Sequence, residues 1–290
     1  ATPEPLTAQD APDADAQVVA RAIEDLPAAD AAALLAHLEV DHAAEVTVIL
    51  DPSTAGHILR EMDPSAASAI LGAMPVPEAS MVLAALDPDD RVDMLAGVPG
   101  AKHDELVREL EPEDAAEVRA LEQYPPDTAG GIMTTQVTAL YEYLTVDDAI
   151  QLLRRLHREL EQMFYVYVIN KRGQLEGVLS MRDMILADPQ QRLHDIMIRT
   201  VRSVPVTMDQ EEVARFMRER RYLAAPVVDD DRKLLGIITA DDVQDVIVEE
   251  ATEDVQKLFG AGAEERLLST WKLSFSKRVW WLIVNLGTAF

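Results

Sequence analysis

Cysteine is absent from the 290 residues. That excludes a disulfide framework, a thiolate metal site and a thiol nucleophile, and it fits a reducing compartment. Aromatics are scarce at 5%, and alanine carries much of the 48% apolar content. Helices packed closely through small side chains are expected, rather than a core of large rings. Basic residues are few: 26 Lys and Arg stand against 52 Asp and Glu, a net charge of −26. Charge of that sign repels nucleic acid and anionic lipid surfaces, and suits either a cationic partner or a solvated acidic face. The opening ATPEPLTAQDAPDADAQ has neither the basic nor the apolar stretch of a secretory signal, and residues 1–18 read as a disordered acidic lead-in. The six histidines show no H-x-x-x-H pairing and no G-x-x-x-x-G-K-[ST] phosphate loop occurs. No catalytic constellation stands out, so an enzyme is not expected.

What is present begins with a repeat. Leu26, Leu38, Leu50, Met62, Met74, Leu86, Val98 and Leu110 recur every 12 residues, most with a proline two or three positions later, as in LDPSTAGHILREM and MDPSAASAILGAM. Each unit predicts a short helix with proline in its first turn, where the missing N–H costs nothing, and one apolar stripe at i, i+3 and i+4. Helices this short need stacked neighbours to complete a core, so residues 19–124 are expected to form an all-α superhelical stack. Residues 1–130 hold 27 acidic and 6 basic residues, a net −21, which leaves −5 for the remainder.

The pattern breaks at Tyr124-Pro-Pro-Asp-Thr-Ala-Gly-Gly131, and 125–131 read as a linker. Strands then alternate with helices. Strands are expected at Val137–Tyr141, Met163–Ile169 and Leu175–Ser180, with helices at Val146–Leu160 and Arg182–Ala187. The order returns with strands Val204–Val206, Ala224–Val228 and Leu234–Thr239, a helix at Asp209–Arg220 and another from Asp241. Gly177-Val-Leu-Ser180-Met-Arg-Asp183 matches Gly236-Ile-Ile-Thr239-Ala-Asp-Asp242 with a shift of 59. Polar helices are expected at Glu249–Phe259 and Glu264–Ser274. Beyond Lys277 and Arg278 comes VWWLIVNLGTAF, too short to span a bilayer, which needs ~20 residues, but suited to the start of a span.

The duplicated unit resembles the CBS domain, through Met133-Thr134, Met197, Pro226-Val-Val-Asp229 and the two G-V-L/I-S/T-x-x-D blocks. The whole order resembles the MgtE family of magnesium channels: an acidic helical domain, DTAGGIMT from Asp127 to Thr134, a CBS pair, then ATEDVQKL from Ala251 to Leu258. That likeness implies an α+β multidomain fold: the helical domain, CBS 1 at 132–194, CBS 2 at 195–250, a connecting helix at 251–276 and a truncated first membrane helix at 277–290. It also implies a homodimer formed through the CBS units, at the cytoplasmic face of the cell membrane, with the pore beyond residue 290. It carries over Mg2+ positions at Asp89, Asp93, Asp209, Glu211, Asp242, Asp245, Glu253 and Asp254. It carries over adenine-nucleotide (ATP) positions at Tyr165, Arg182, Asp183 and Tyr222: an aromatic to stack, Arg182 for phosphate and Asp183 for a ribose hydroxyl. At Arg221 the family pattern expects an aspartate, and the metal position that aspartate serves is in doubt here.

Residue chemistry supports a cation. Magnesium takes one or two carboxylates and keeps its water, and Asp242 with Asp245, or Asp89 with Asp93, share a helix face. Where two such faces meet, the closed arrangement is strained until cations bridge it, and several weak sites then make a switch. The other reading is a CBS sensor of adenine nucleotides with the helical domain as a scaffold.

Overall fold

The computed structural model describes residues 14–24, 26–156 and 165–258, with residue 249 and the last seven described by backbone alone. The first part is a stack of short helices: α1 (Ala16–Glu24), α2 (Ala28–Leu35), α3 (Val40–Ile49), α4 (Pro52–Arg60), α5 (Pro64–Ala73), α6 (Val76–Ala84), α7 (Pro88–Ala96), α8 (Gly100–Glu109) and α9 (Pro112–Leu121). The Asp51 and Asp63 carboxylates cap α4 and α5, accepting from backbone amides two and three positions on, and proline follows as the first helical residue. The 12-residue period sets the core register. Ala55, Ile58 and Leu59 are buried, as are Ala67, Ile70 and Leu71, and again Ala79, Val82 and Leu83. Each helix packs on the one two along, so odd and even helices form two layers.

Two positions depart from the repeat, Arg91 and the more open His103. Ala31, Ala43, Ala55, Ala67, Ala79 and Ala115 fall in register with Arg91, which is equally buried. Its guanidinium donates to the Leu83 and Leu86 carbonyls at 2.9 and 3.0 Å and meets Asp114 at 3.0 Å. A buried cation so fully partnered ties α7 to the α6–α7 turn and to α9, and fixes where the first turn of α7 lies.

Two α/β units follow. In the first, β1 (Ala139–Tyr141) runs parallel to β2 (Tyr165–Ile169), which pairs antiparallel with β3 (Leu175–Ser180). Helices α10 (Val146–Leu156), α11 (Met181–Leu186) and α12 (Leu193–Ile196) pack around it. The second repeats the order with β4 (Val204–Pro205), α13 (Gln210–Arg220), β5 (Ala224–Val228), β6 (Leu234–Thr239) and α14 (Ala240–Leu258). The short α12 was not foreseen. The helix expected at Glu249–Phe259 is not separate: α14 runs unbroken from Ala240 to Leu258, through the boundary expected at 250/251. The second polar helix and the apolar tail, 264–290, lie outside the described residues.

The Pro–Gly stretch read as a linker is hydrogen-bonded to the second unit. The amides of Ala129 and Gly130 donate to the Met208 and Val206 carbonyls, and Gln210 N–H donates to Asp127 O. Thr134 exchanges backbone hydrogen bonds with Ile237, and Met133 lies in the core of the second unit. Conversely Ile198 pairs with Val178 and Met197 enters the core of the first. Each unit's leading segment therefore completes the other. Sequence order alone assigns both segments to the nearer unit.

Candidate metal site

The helical domain meets the second unit at the start of α7. Val92 touches both cores, and Leu121 at the end of α9 is buried in that of the second unit. Two acidic helix starts converge here: Asp89 and Asp90 in the first turn of α7, Asp241 and Asp242 in the first turn of α14.

Asp89 is 7% exposed and its Oδ1 has no hydrogen-bond partner among the described residues. Burial, and then the negative charges of Asp242, Asp90 and Asp87, push its carboxyl well above the usual carboxylate range. Asp242 is raised as well. Burial does most of this, Thr239 opposes it by donating from its hydroxyl at 2.6 Å and its amide at 2.8 Å, and Asp241 adds to it. Asp90 is pushed up to about 7 by burial, against the pull of Arg60 and with the charges of Asp242, Asp87 and Asp93. Asp245, one turn along α14 and more open, is also raised, by burial first, with Arg60 opposing and Asp241 and Glu61 adding.

Arg60, the last residue of α4, reaches into this cluster. Its Nη2 donates to Asp241 Oδ2 at 2.8 Å and its Nε lies 3.4 Å from Asp90 Oδ1. Asp241 alone is lowered: burial works against it, but hydrogen bonds from the Thr239 hydroxyl and Arg60 prevail.

The expected metal positions are thus divided. Asp89 and Asp242 lie near enough for the charge of Asp242 to raise the Asp89 carboxyl, with Asp93 and Asp245 on the same two helices. Asp209 is elsewhere: it caps α13, accepting from the Glu211 and Glu212 amides at 2.9 and 3.4 Å, and both it and Glu211 are exposed. The side chains of Glu253 and Asp254 lie outside the described residues. Arg221, the departure from the family pattern, is an exposed left-handed cap ending α13. Among the described residues no group of three or more such ligands is gathered to enclose an ion. A buried unpaired oxygen near a second carboxylate nevertheless fits magnesium held through retained water, since that ion takes one or two carboxylates and dehydrates reluctantly. Arg60, Asp90 and Asp241 were not foreseen. Their signals were Arg60's place among only six cations in residues 1–130, Asp90's adjacency to Asp89, and Asp241's place 59 residues after Arg182.

The expected nucleotide residues gather at the end of the first sheet. Tyr165 lies across from Ser180, and Arg182 and Asp183 follow at the start of α11, where the Ser180 hydroxyl donates to Asp183 at 2.6 Å. Tyr222 stands apart, in the second unit, edge-on to Phe216 with centroids 5.9 Å apart. The equivalent end of the second sheet carries Ala224 opposite Thr239, then Asp241 and Asp242. The aromatic and the arginine are both missing there.

Comparison with known proteins places these parts. The profile of the MgtE intracellular N domain matches residues 16–127, and that of the CBS domain matches 129–189 and 193–249. The magnesium transporter MgtE of Thermus thermophilus is 47% identical over 149 residues, covering 51% of this chain and 33% of that protein. The Bacillus subtilis magnesium transporter MgtE is 35% identical over 201 residues, covering 69% and 45%. The chain thus spans between a third and just under a half of these two relatives. A crystal structure of the cytosolic domain of the Mg2+ channel MgtE in complex with ATP superposes with a TM-score of 0.75 at 36% identity, over 80% of this chain and 95% of that one. The soluble part of a magnesium transporter superposes with a TM-score of 0.61 at 28% identity, over 84% of this chain and all of that one. Among the described residues no helix is long and apolar enough to cross a membrane.

Proposed function

The chain belongs to the MgtE family of magnesium transporters, not a family of enzymes, and from that premise we propose that it is the magnesium-sensing regulatory region of such a protein, at the cytoplasmic face of the membrane. One observation carries the reading: a buried Asp89 carboxylate oxygen without a partner among the described residues, at the interface between the helical domain and CBS 2, where the charge of Asp242 is felt. Two carboxylates so placed cannot both ionise cheaply. A divalent cation between them, backed by Asp93 and Asp245 at the rim, favours the docked arrangement by its differential affinity for it. Docking is passed along α14, which continues from the site toward the segments that follow. Asp209, Glu211, Glu253 and Asp254 would take ions where a second copy, or the following segments, supply the missing ligands. The exposed Ile185 and Leu186 of α11 suit pairing of the CBS units in a homodimer. Conduction belongs to the pore of the whole protein.

The test is small-angle scattering and hydrogen exchange of the chain titrated with magnesium, against sodium at matched ionic strength. Magnesium-specific compaction, with protection at the starts of α7 and α14 whose dependence on magnesium is lost in Asp89→Asn, supports the switch. Equal responses to both salts overturn it.

A second reading concerns nucleotide. Tyr165, Arg182 and Asp183 converge beside Ser180, and a solved relative carries ATP. We infer an adenine-nucleotide site at this end of CBS 1, with Tyr165 stacking on the base, Asp183 holding the ribose and Arg182 meeting phosphate.

A further inference from the structure

Arg60 closes part of an interface whose acidic side holds Asp89, Asp90, Asp241 and Asp242. It lies on α4, yet its fork reaches Asp90 on α7 and Asp241 on α14, and so joins the helical domain to CBS 2. Asp241 is also where the two CBS units reverse charge: the equivalent residue of CBS 1, 59 positions earlier, is Arg182. The cation that CBS 1 supplies from its own helix is thus supplied to CBS 2 from the helical domain. The Thr239 hydroxyl, its one proton shared between Asp241 and Asp242, lies on the other oxygen of the receiving carboxylate.

We propose that Arg60 is a tethered cation that holds the helical domain on CBS 2, so that docking begins without a divalent ion and magnesium adds to it at Asp89 and Asp242. The fork donates to Asp241, lies 3.4 Å from Asp90, and makes no hydrogen bond to the unpaired oxygen of Asp89. The interface therefore has one fixed positive charge and one place for an exchangeable one. An ion that encounters the protein meets a partly assembled closed state, whose remaining cost is the Asp89–Asp242 pair. The magnesium half of this rests on the function proposed above; the Arg60 half does not.

The test uses the full chain, whose lack of cysteine allows two dyes to be attached at Val40→Cys and Lys171→Cys, both exposed positions, and their energy transfer to be followed. Arg60→Gln should lower the docked-to-undocked ratio in magnesium-free buffer about tenfold, the scale of losing charge-assisted hydrogen bonds. Saturating magnesium should restore the docked distance in Arg60→Gln, with a steeper dependence on magnesium than in the parent. Arg60→Lys, which keeps the charge and loses the fork, should fall between. An unchanged magnesium-free ratio in Arg60→Gln overturns the proposal. Where magnesium docks the parent, an Arg60→Gln variant that stays undocked at saturating magnesium overturns it too, because Arg60 would then be a packing element that no cation replaces. A parent that ignores magnesium, with Arg60→Gln still lowering the magnesium-free ratio, supports the tethered cation and sinks the magnesium reading.

Discussion

The carboxylate of Asp89 is the residue most at odds with its surroundings. An ionised carboxylate buried without partners is costly, and the usual remedies are a proton, a hydrogen-bond donor or a metal. Asp89→Asn supplies a neutral donor that can face Asp242. Without magnesium the variant should be more stable than the parent, by about 1–3 kcal/mol, the desolvation cost of an unsatisfied polar group. Its stabilisation by magnesium should shrink toward the sodium control. Calorimetry with and without magnesium checks both, and an undiminished magnesium increment would remove Asp89 from the site. Protons should act in the same direction as magnesium. Asp90 is pushed up to about 7, above its ordinary value, so it contributes stability at low pH that is lost as pH rises through about 7. In magnesium-free buffer the docked form should strengthen from pH 8 to pH 6, measurable by the same energy transfer. An interface of matched ion pairs would show the opposite slope as its carboxylates protonate.

At the scale of elements, the repeat is written plainly in the sequence. Prolines at 52, 64, 88 and 112 mark helix starts, and the alternation of small and branched residues marks the buried face. Arg91 and Arg60 were less legible, because a 12-residue period shows where a side chain sits on its own helix and not what a distant helix brings to it. The Gly–Gly stretch misled for a related reason. Gly131 is where a Cβ would lie 2.4 Å from the Pro125 carbonyl, so its glycine serves close approach rather than freedom. Gly236 does the same on β6, where a Cβ would meet the Thr134 carbonyl at 2.4 Å. Gly236→Ala should expel the Met133–Thr134 segment and cost about 1–3 kcal/mol, as overpacking does. Gly177→Ala, whose Cβ meets the Met197 side chain rather than backbone, should cost less. Denaturant titration of both variants separates them; equal costs would mean the leading segments are not held through these glycines.

At the scale of the whole molecule, the two CBS units share a fold and differ in what their equivalent ends present. One end of the pair presents Tyr165, Arg182 and Asp183; the equivalent end of CBS 2 has Ala224, Asp241 and Asp242, and the helical domain lies against it. Adenine nucleotide should therefore bind with one molecule per chain. Tyr165→Ala should weaken it by about 1–3 kcal/mol, the scale of losing an aromatic stacking partner for a base, while Asp241→Asn leaves it nearly unchanged. Titration calorimetry with ATP reads both, and two equivalent sites per chain would contradict the asymmetry.

The sequence by itself determined the parts: a stack of short helices from a 12-residue period, two α/β units from a 59-residue duplication, and an acidic balance concentrated in the helical domain. These are legible because period, capping and charge are local properties. Tertiary structure decided which carboxylates meet. It brought Asp89 and Asp242 together across 153 residues of chain, left Asp209 as a helix cap, and set Arg60 between Asp90 and Asp241. It also crossed the leading segments of the two units. The physical reason is the same in each case: burial and the meeting of like charges arise only when separate elements pack, and no local spacing encodes them.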